Sequence, residues 1–227
     1  MAFGNGPRII TNGLVLALDA ADRNSYVSGS TTWTDLAGGN NGTLVNGPTF
    51  DSGSGGSIVF DGVDDYALSS LSVNSITNVT IQCWVNISST SKKGAFIKVG
   101  GGVNGYAIGV GLSTYEDLGN DIIVLFPGIR WIDTNVTYGT GWKMATLVIG
   151  ATSVPTIYVN DTLIGSYSGT NPITPTANVY FGRNVGDEGA ILRAFGGNMA
   201  NAKIYNRALS ATEILQNYNA TKSRFNL

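Results

Sequence analysis

The stretch NVTIQCWVNI, residues 78–87, decides the fold. Its odd positions, Val79, Ile81, Cys83, Val85 and Ile87, are apolar, while Thr80, Gln82 and Asn86 fall between them. A period of two places successive side chains on opposite faces, as in a β-strand. Trp84 interrupts the polar face. A large aromatic there predicts that both faces of this strand are partly covered, as happens in stacked sheets.

Similar runs lie on either side. Upstream are LVLALDA (14–20) and GSIVFDG (56–62); downstream are GAFIKVG (94–100), GYAIGVGL (105–112), DIIVLFP (121–127) and WKMATLVIG (142–150). TIYVND (156–161) and TLIGSYS (162–168) read as a hairpin, with Asn160-Asp161 expected to supply two left-handed residues at a tight turn. NVYFGRN (178–184) and NAKIYN (201–206) complete the series. Repeated short strands punctuated by Gly, Asn, Asp and Ser predict an all-β, two-sheet antiparallel jelly-roll sandwich.

One short C-terminal helix breaks the pattern. In AKIYNRALSATEILQNYNATKSRF (202–225), Ser210 and Glu213 have capping-box spacing, and Leu209 and Ile214 have hydrophobic-staple spacing. Ile214, Leu215 and Tyr218 are read as one apolar stripe. So short a helix needs tertiary packing to persist, so the stripe is expected to close onto the sandwich. The predicted organisation is an arm over 1–12, one domain over 13–220 and a tail over 221–227.

The composition narrows the function classes. The chain has 227 residues, 43% of them hydrophobic and 12% charged, with a net charge of −2. No basic run supports binding to nucleic acid. No apolar segment is long enough to cross a membrane as a helix, and residues 1–23 do not read as a secretory signal. Cys83 is single and lies on the apolar face of its strand, which predicts an inert buried thiol rather than a nucleophile. No histidine exists to serve as a base or a zinc ligand.

The ordered set GGNNGTLVNGPTF, GSIVFDGVDDYALSS, VTIQCWVNI, GWKMATLVI, TIYVNDTLIGS and IYNRALSATEI resembles laminin-G-like domains. These belong to the concanavalin A-like lectin/glucanase superfamily, and the resemblance spans about residues 13 to 220. The opening, from GLVLALDAADRNSY to GGSIVFDGVDDY, is also similar to laminin-G-like proteins of tailed bacteriophages. That similarity implies a non-enzymatic structural or adhesive virion component: a capsid decoration, tail or fibre protein assembled in a host cytoplasm. Its partners would be other virion proteins, copies of itself and host-surface glycans. The alternative is a lectin whose main task is carbohydrate recognition. Two family patterns are altered here. Ala200 and Asn201 stand where acidic residues are common, and Trp142-Lys143-Met144-Ala145 stands for the family's Trp-His-His-Val-Ala.

Glycoside hydrolysis needs two carboxylates flanking the scissile bond. The chain has three glutamates; Glu213 belongs to the capping box, and Glu116 and Glu188 lie in turn-like segments. No pair is well arranged, so no catalytic residue is assigned. Calcium would find oxygen ligands in Asp61, Asp64 and Asp65, in Asp19 and Asp22, or in Asp35. Turn chemistry is the preferred reading for these, and no cofactor is assigned. Alternation places Trp131, Asp133 and Asn135 on one strand face beside Arg130 and Tyr138. Two readings stand: a sugar-stacking platform, or a core tryptophan with polar neighbours. Phe3, Ile9, Ile10, Phe225 and Leu227 are the candidate assembly anchors, on ends that would order only on contact with a neighbour.

Overall fold

The computed structural model describes residues 7–72, 78–88, 93–100, 105–112, 117–125, 131–150, 154–167, 178–184 and 194–227. Among these, the strands are β1 (Leu14–Asp19), β2 (Thr32–Trp33), β3 (Gly42–Val45), β4 (Thr49–Asp51), β5 (Ser57–Asp61) and β6 (Tyr66–Ser69). They continue as β7 (Val79–Ile87), β8 (Ala95–Val99), β9 (Tyr106–Leu112), β10 (Asp117–Leu125) and β11 (Trp131–Thr137). The last are β12 (Gly141–Ile149), β13 (Pro155–Val159), β14 (Thr162–Ser166), β15 (Val179–Phe181) and β16 (Gly196–Tyr205), followed by α1 (Ala211–Thr221).

Two antiparallel sheets stack face to face. The first has the order β14-β13-β12-β7-β16-β5-β4, with β1 sharing the β16 edge with β5. The second has the order β11-β10-β9-β8-β15-β6-β3-β2. The jelly-roll expectation holds. Val79, Ile81, Cys83, Val85 and Ile87 all enter the main core with Phe60, Phe96, Phe181 and Phe195. Burial pushes the Cys83 thiol pKa far up, so the thiolate is suppressed. The sequence reading assigns no strand to β2, β3, β4 or β6. These are two to four residues long, too short for alternation to show. In the β13–β14 hairpin only Asn160 takes positive φ, not both turn residues.

The outer face of the first sheet is covered as Trp84 implied. The helix α1 lies over it and forms a second apolar cluster of Trp84, Met144, Val148, Tyr205, Leu209, Ile214 and Phe225. The stripe differs from expectation at one position: Leu215 is 41% exposed, and Asn217 is buried instead. Spacing explains this, because Ile214, Asn217 and Tyr218 share a helix face and Leu215 is turned away. Asn217 is a hydrogen-bonded hub. Its Nδ2 donates to Gln82 Oε1 at 3.1 Å and to Tyr205 Oη at 3.0 Å, and its Oδ1 accepts from Ile10 N at 2.7 Å.

The two chain ends differ from the expectation that they order only on assembly. In the arm, Gln216 Nε2 donates to Arg8 O, Tyr205 Oη to Ile10 O and Arg207 Nε to Asn12 O. Ile9 and Ile10 are partly buried within the same chain. Phe225 is 6% exposed. Its ring stacks on Trp84 at 4.2 Å and meets Trp142 at 4.7 Å. Arg224 anchors the same turn, donating to Ser54 O and Gly56 O and pairing with Asp19 at 2.7 Å. Residues 222–225 therefore form part of the cap rather than a free tail. Leu227 stays 51% exposed, and Phe3 lies outside the described residues.

The capping box forms as read. Glu213 N donates to Ser210 Oγ at 3.3 Å, and Ser210 N donates to Glu213 Oε2 at 2.9 Å. Arg207 adds a bidentate pair to the Glu213 carboxylate, at 2.6 and 2.9 Å. The Arg207 guanidinium and then the Ser210 amide hold the Glu213 pKa down to about 2, against a usual 4.5. A carboxylate depressed on folding stabilises fully above its unfolded pKa and less below it. The contribution should thus be complete above about pH 4.5 and fade as pH falls toward 2. Urea midpoints at about pH 6 and about pH 3 should differ less in Glu213→Gln than in the wild type.

Candidate functional site

The sequence-named triplet does not assemble an open platform. Trp131 begins β11 and is 4% exposed, packed with Ala95, Ala107, Ile123 and Leu125 on the outer side of the second sheet. Asp133 is partly buried, and Asn135 is exposed with φ of 55°. The β10–β11 register slips here: Ile123 pairs Asp133, whereas Asp121 pairs Thr137. This bulge breaks the alternation that would have aligned Trp131, Asp133 and Asn135. Asp133 Oδ1 accepts from Asn135 N at 2.8 Å, a local turn bond. Tyr138 is buried, with its hydroxyl donating to Lys143 O at 2.9 Å. Arg130 lies outside the described residues.

The acidic groups are engaged with backbone. Asp61, Asp64 and Asp65 place one carboxylate oxygen each within 4.8 Å of the others. Yet Asp65 Oδ2 accepts from Asp61 N at 3.0 Å, and Asp61 Oδ1 accepts from Val63 N at 2.7 Å. Burial raises the Asp65 pKa, which works against a fully ionised cluster. Asp35 is more fully used, accepting from the amides of Ala17, Ala37, Gly38 and Asn40 at 2.7–2.9 Å. Asp19 pairs with Arg224, and Asp22 accepts from Asn24 N at 2.8 Å. Asp19, Asp22, Asp35, Asp61 and Asp65 thus each hold a local backbone amide or a cation.

Glu213 is committed to Arg207 and the helix cap. Glu116 and Glu188 lie outside the described residues. A buried base does occur in Lys203, 6% exposed, whose Nζ donates to Asn201 Oδ1 at 3.0 Å. Burial lowers its pKa to about 8.

A cleft of about 490 Å³ opens where the two sheets end side by side. Its walls come from the β1–β2 loop, the β3–β4 turn and β4. Tyr26, 5% exposed, and Phe50, partly buried, lie with ring centroids 5.5 Å apart. The Tyr26 hydroxyl donates to Ser30 O at 3.1 Å, fixing the loop. Asn46 and Gly47, both lining the cleft, take positive φ, 69° and 107°. Asn46 Nδ2 donates to Asp64 O at 3.0 Å, which locks its side chain. Gly56 makes room for the Phe50 ring: a Cβ there would sit 3.0 Å from the ring and 2.7 Å from Ala20 O. Sequence reasoning missed this cleft. The turn signal NGP at 46–48 was visible, but nothing local shows that residues 26–31 lie opposite it.

The geometry defines a two-sheet jelly-roll scaffold with a cleft at one end of the sandwich. A laminin-G family model, described as concanavalin A-like lectin/glucanases superfamily, matches residues 60–215. The chain belongs to that superfamily. No curated protein matches the sequence.

Solved structures match the fold. Domain 4 of an extracellular arabinanase from Geobacillus stearothermophilus, in complex with arabinotriose, aligns at TM-score 0.63 and 16% identity, covering 90% of this chain and 98% of that one. A structure reporting that cell entry of botulinum neurotoxin type C depends on interaction with two ganglioside molecules aligns at TM-score 0.68 and 13% identity, covering 93% and 52%. Trypanosoma rangeli sialidase aligns at TM-score 0.65 and 16% identity, covering 93% and 33%. The present chain thus spans about half of the neurotoxin chain and a third of the sialidase chain.

Proposed function

We propose that this chain is a carbohydrate-binding, lectin-like domain that works by adhesion rather than catalysis. Membership of the lectin/glucanase superfamily carries the reading. It is supported by the arabinotriose-bound domain that matches nearly end to end, and by the ganglioside-dependent neurotoxin. Glu213, held by Arg207 and Ser210, is unavailable as a general acid, which favours binding over hydrolysis. The lectin reading therefore takes precedence over a purely structural virion role. Placement on a phage particle rests on the similarity of the opening motifs and would make the domain an adhesive surface element.

A glycan array tests the reading. The labelled full chain should bind a restricted set of glycans, with binding competed by the free sugar. An array without competed binding would remove the proposal and return the structural role to the front.

A further inference from the structure

We infer that the cleft between the two sheet edges binds an uncharged oligosaccharide, with Phe50 as its stacking surface. The inference rests on the carbohydrate-binding reading and gives it a place and a ligand class. Phe50 is partly buried, lies with its ring centroid 5.5 Å from that of Tyr26, and lines the opening. Aromatic faces bordered by polar groups suit the C–H faces and hydroxyls of sugars. Ser28, Thr31 and Thr49 line the rim, and their hydroxyls make no hydrogen bond among the described residues. Asn46 lines it too, with its amide nitrogen held by Asp64 O and its Oδ1 left to accept.

Charge selects among glycans. None of the described residues lining the cleft is charged. A sialic acid or sulfate there would lose hydration with no cation to receive it. A peptide strand fits less well, because β2 and β4 offer only two and three residues of free edge.

Nuclear magnetic resonance of the full chain can decide the matter. The probes are arabinotriose, cellotetraose, the neutral glycan that scores best on the array, and sialyllactose. Amide signals from 26–31 and 46–50 should move with a neutral probe and not with sialyllactose. Phe50→Leu keeps apolar volume but removes the ring face, and should weaken binding by at least about tenfold. Thr49→Asp, on the exposed rim, should weaken it without relying on any core change. If neutral sugar binds but shifts cluster elsewhere, for example at Trp131, Asp133 and Asn135, the carbohydrate reading stands and this site falls. Binding confined to sialyllactose also overturns the site. Binding to no glycan overturns both.

Discussion

Phe225→Ala should lower the unfolding free energy by about 3–5 kcal/mol, the usual cost of deleting a buried phenylalanine. The residue lies two positions before Leu227, in a stretch where substitutions are ordinarily harmless. Here its ring is 6% exposed and stacks on Trp84 at 4.2 Å, with Trp142 at 4.7 Å. Removing it opens a void over the outer face of the first sheet, and Trp84 loses a stacking partner. Trp84 Nε1 also donates to Thr221 Oγ1 at 2.8 Å, so loosening this turn weakens the end of α1 as well. Urea denaturation followed by tryptophan fluorescence will read the change. Leu227→Ala is the control, since that side chain is 51% exposed and should change stability by no more than about 0.5 kcal/mol. Equal, small effects for both would return the C-terminus to a free tail.

Asn217→Leu should cost about 3 kcal/mol or more, although leucine is the better helix former. The side chain is 1% exposed and serves the Gln82 amide, the Tyr205 hydroxyl and the Ile10 backbone amide. Leucine would leave these three buried or half-buried groups short of partners, at about 1–3 kcal/mol for each one left unsatisfied. Tyr205 would retain its bond to Ile10 O, and Gln82 its bond to Thr146 Oγ1, so the loss stays below the sum. Hydrogen exchange gives the specific signature. The Ile10 amide should lose protection first, because Asn217 is its partner, while β7 keeps the protection of its ladders to β12 and β16.

These two side chains show what the sequence could reveal. The strand NVTIQCWVNI was legible because alternation is a local property, and Trp84 on its polar face announced a cover. The capping box was legible for the same reason, since Ser210 and Glu213 are three residues apart. The cover's composition was not. Phe225 reaches Trp84 across 141 positions, and Ile10 reaches Asn217 across 207. Neither contact leaves a periodic trace. At Trp131, Asp133 and Asn135 a strand reading failed differently, because a bulge with Asn135 at φ 55° breaks the period. The edge cleft unites a loop near 28 with a turn near 47, and only the stacking of the two sheets brings them together.

Binding without turnover is best tested by calorimetric titration of the full chain with the highest-scoring neutral glycan, followed by mass spectrometry of the recovered sugar. Saturable heat, near one site per chain, with the sugar returned intact is the expected result. Absence of saturable heat, or recovery of shortened sugar, would contradict a non-catalytic carbohydrate-binding domain.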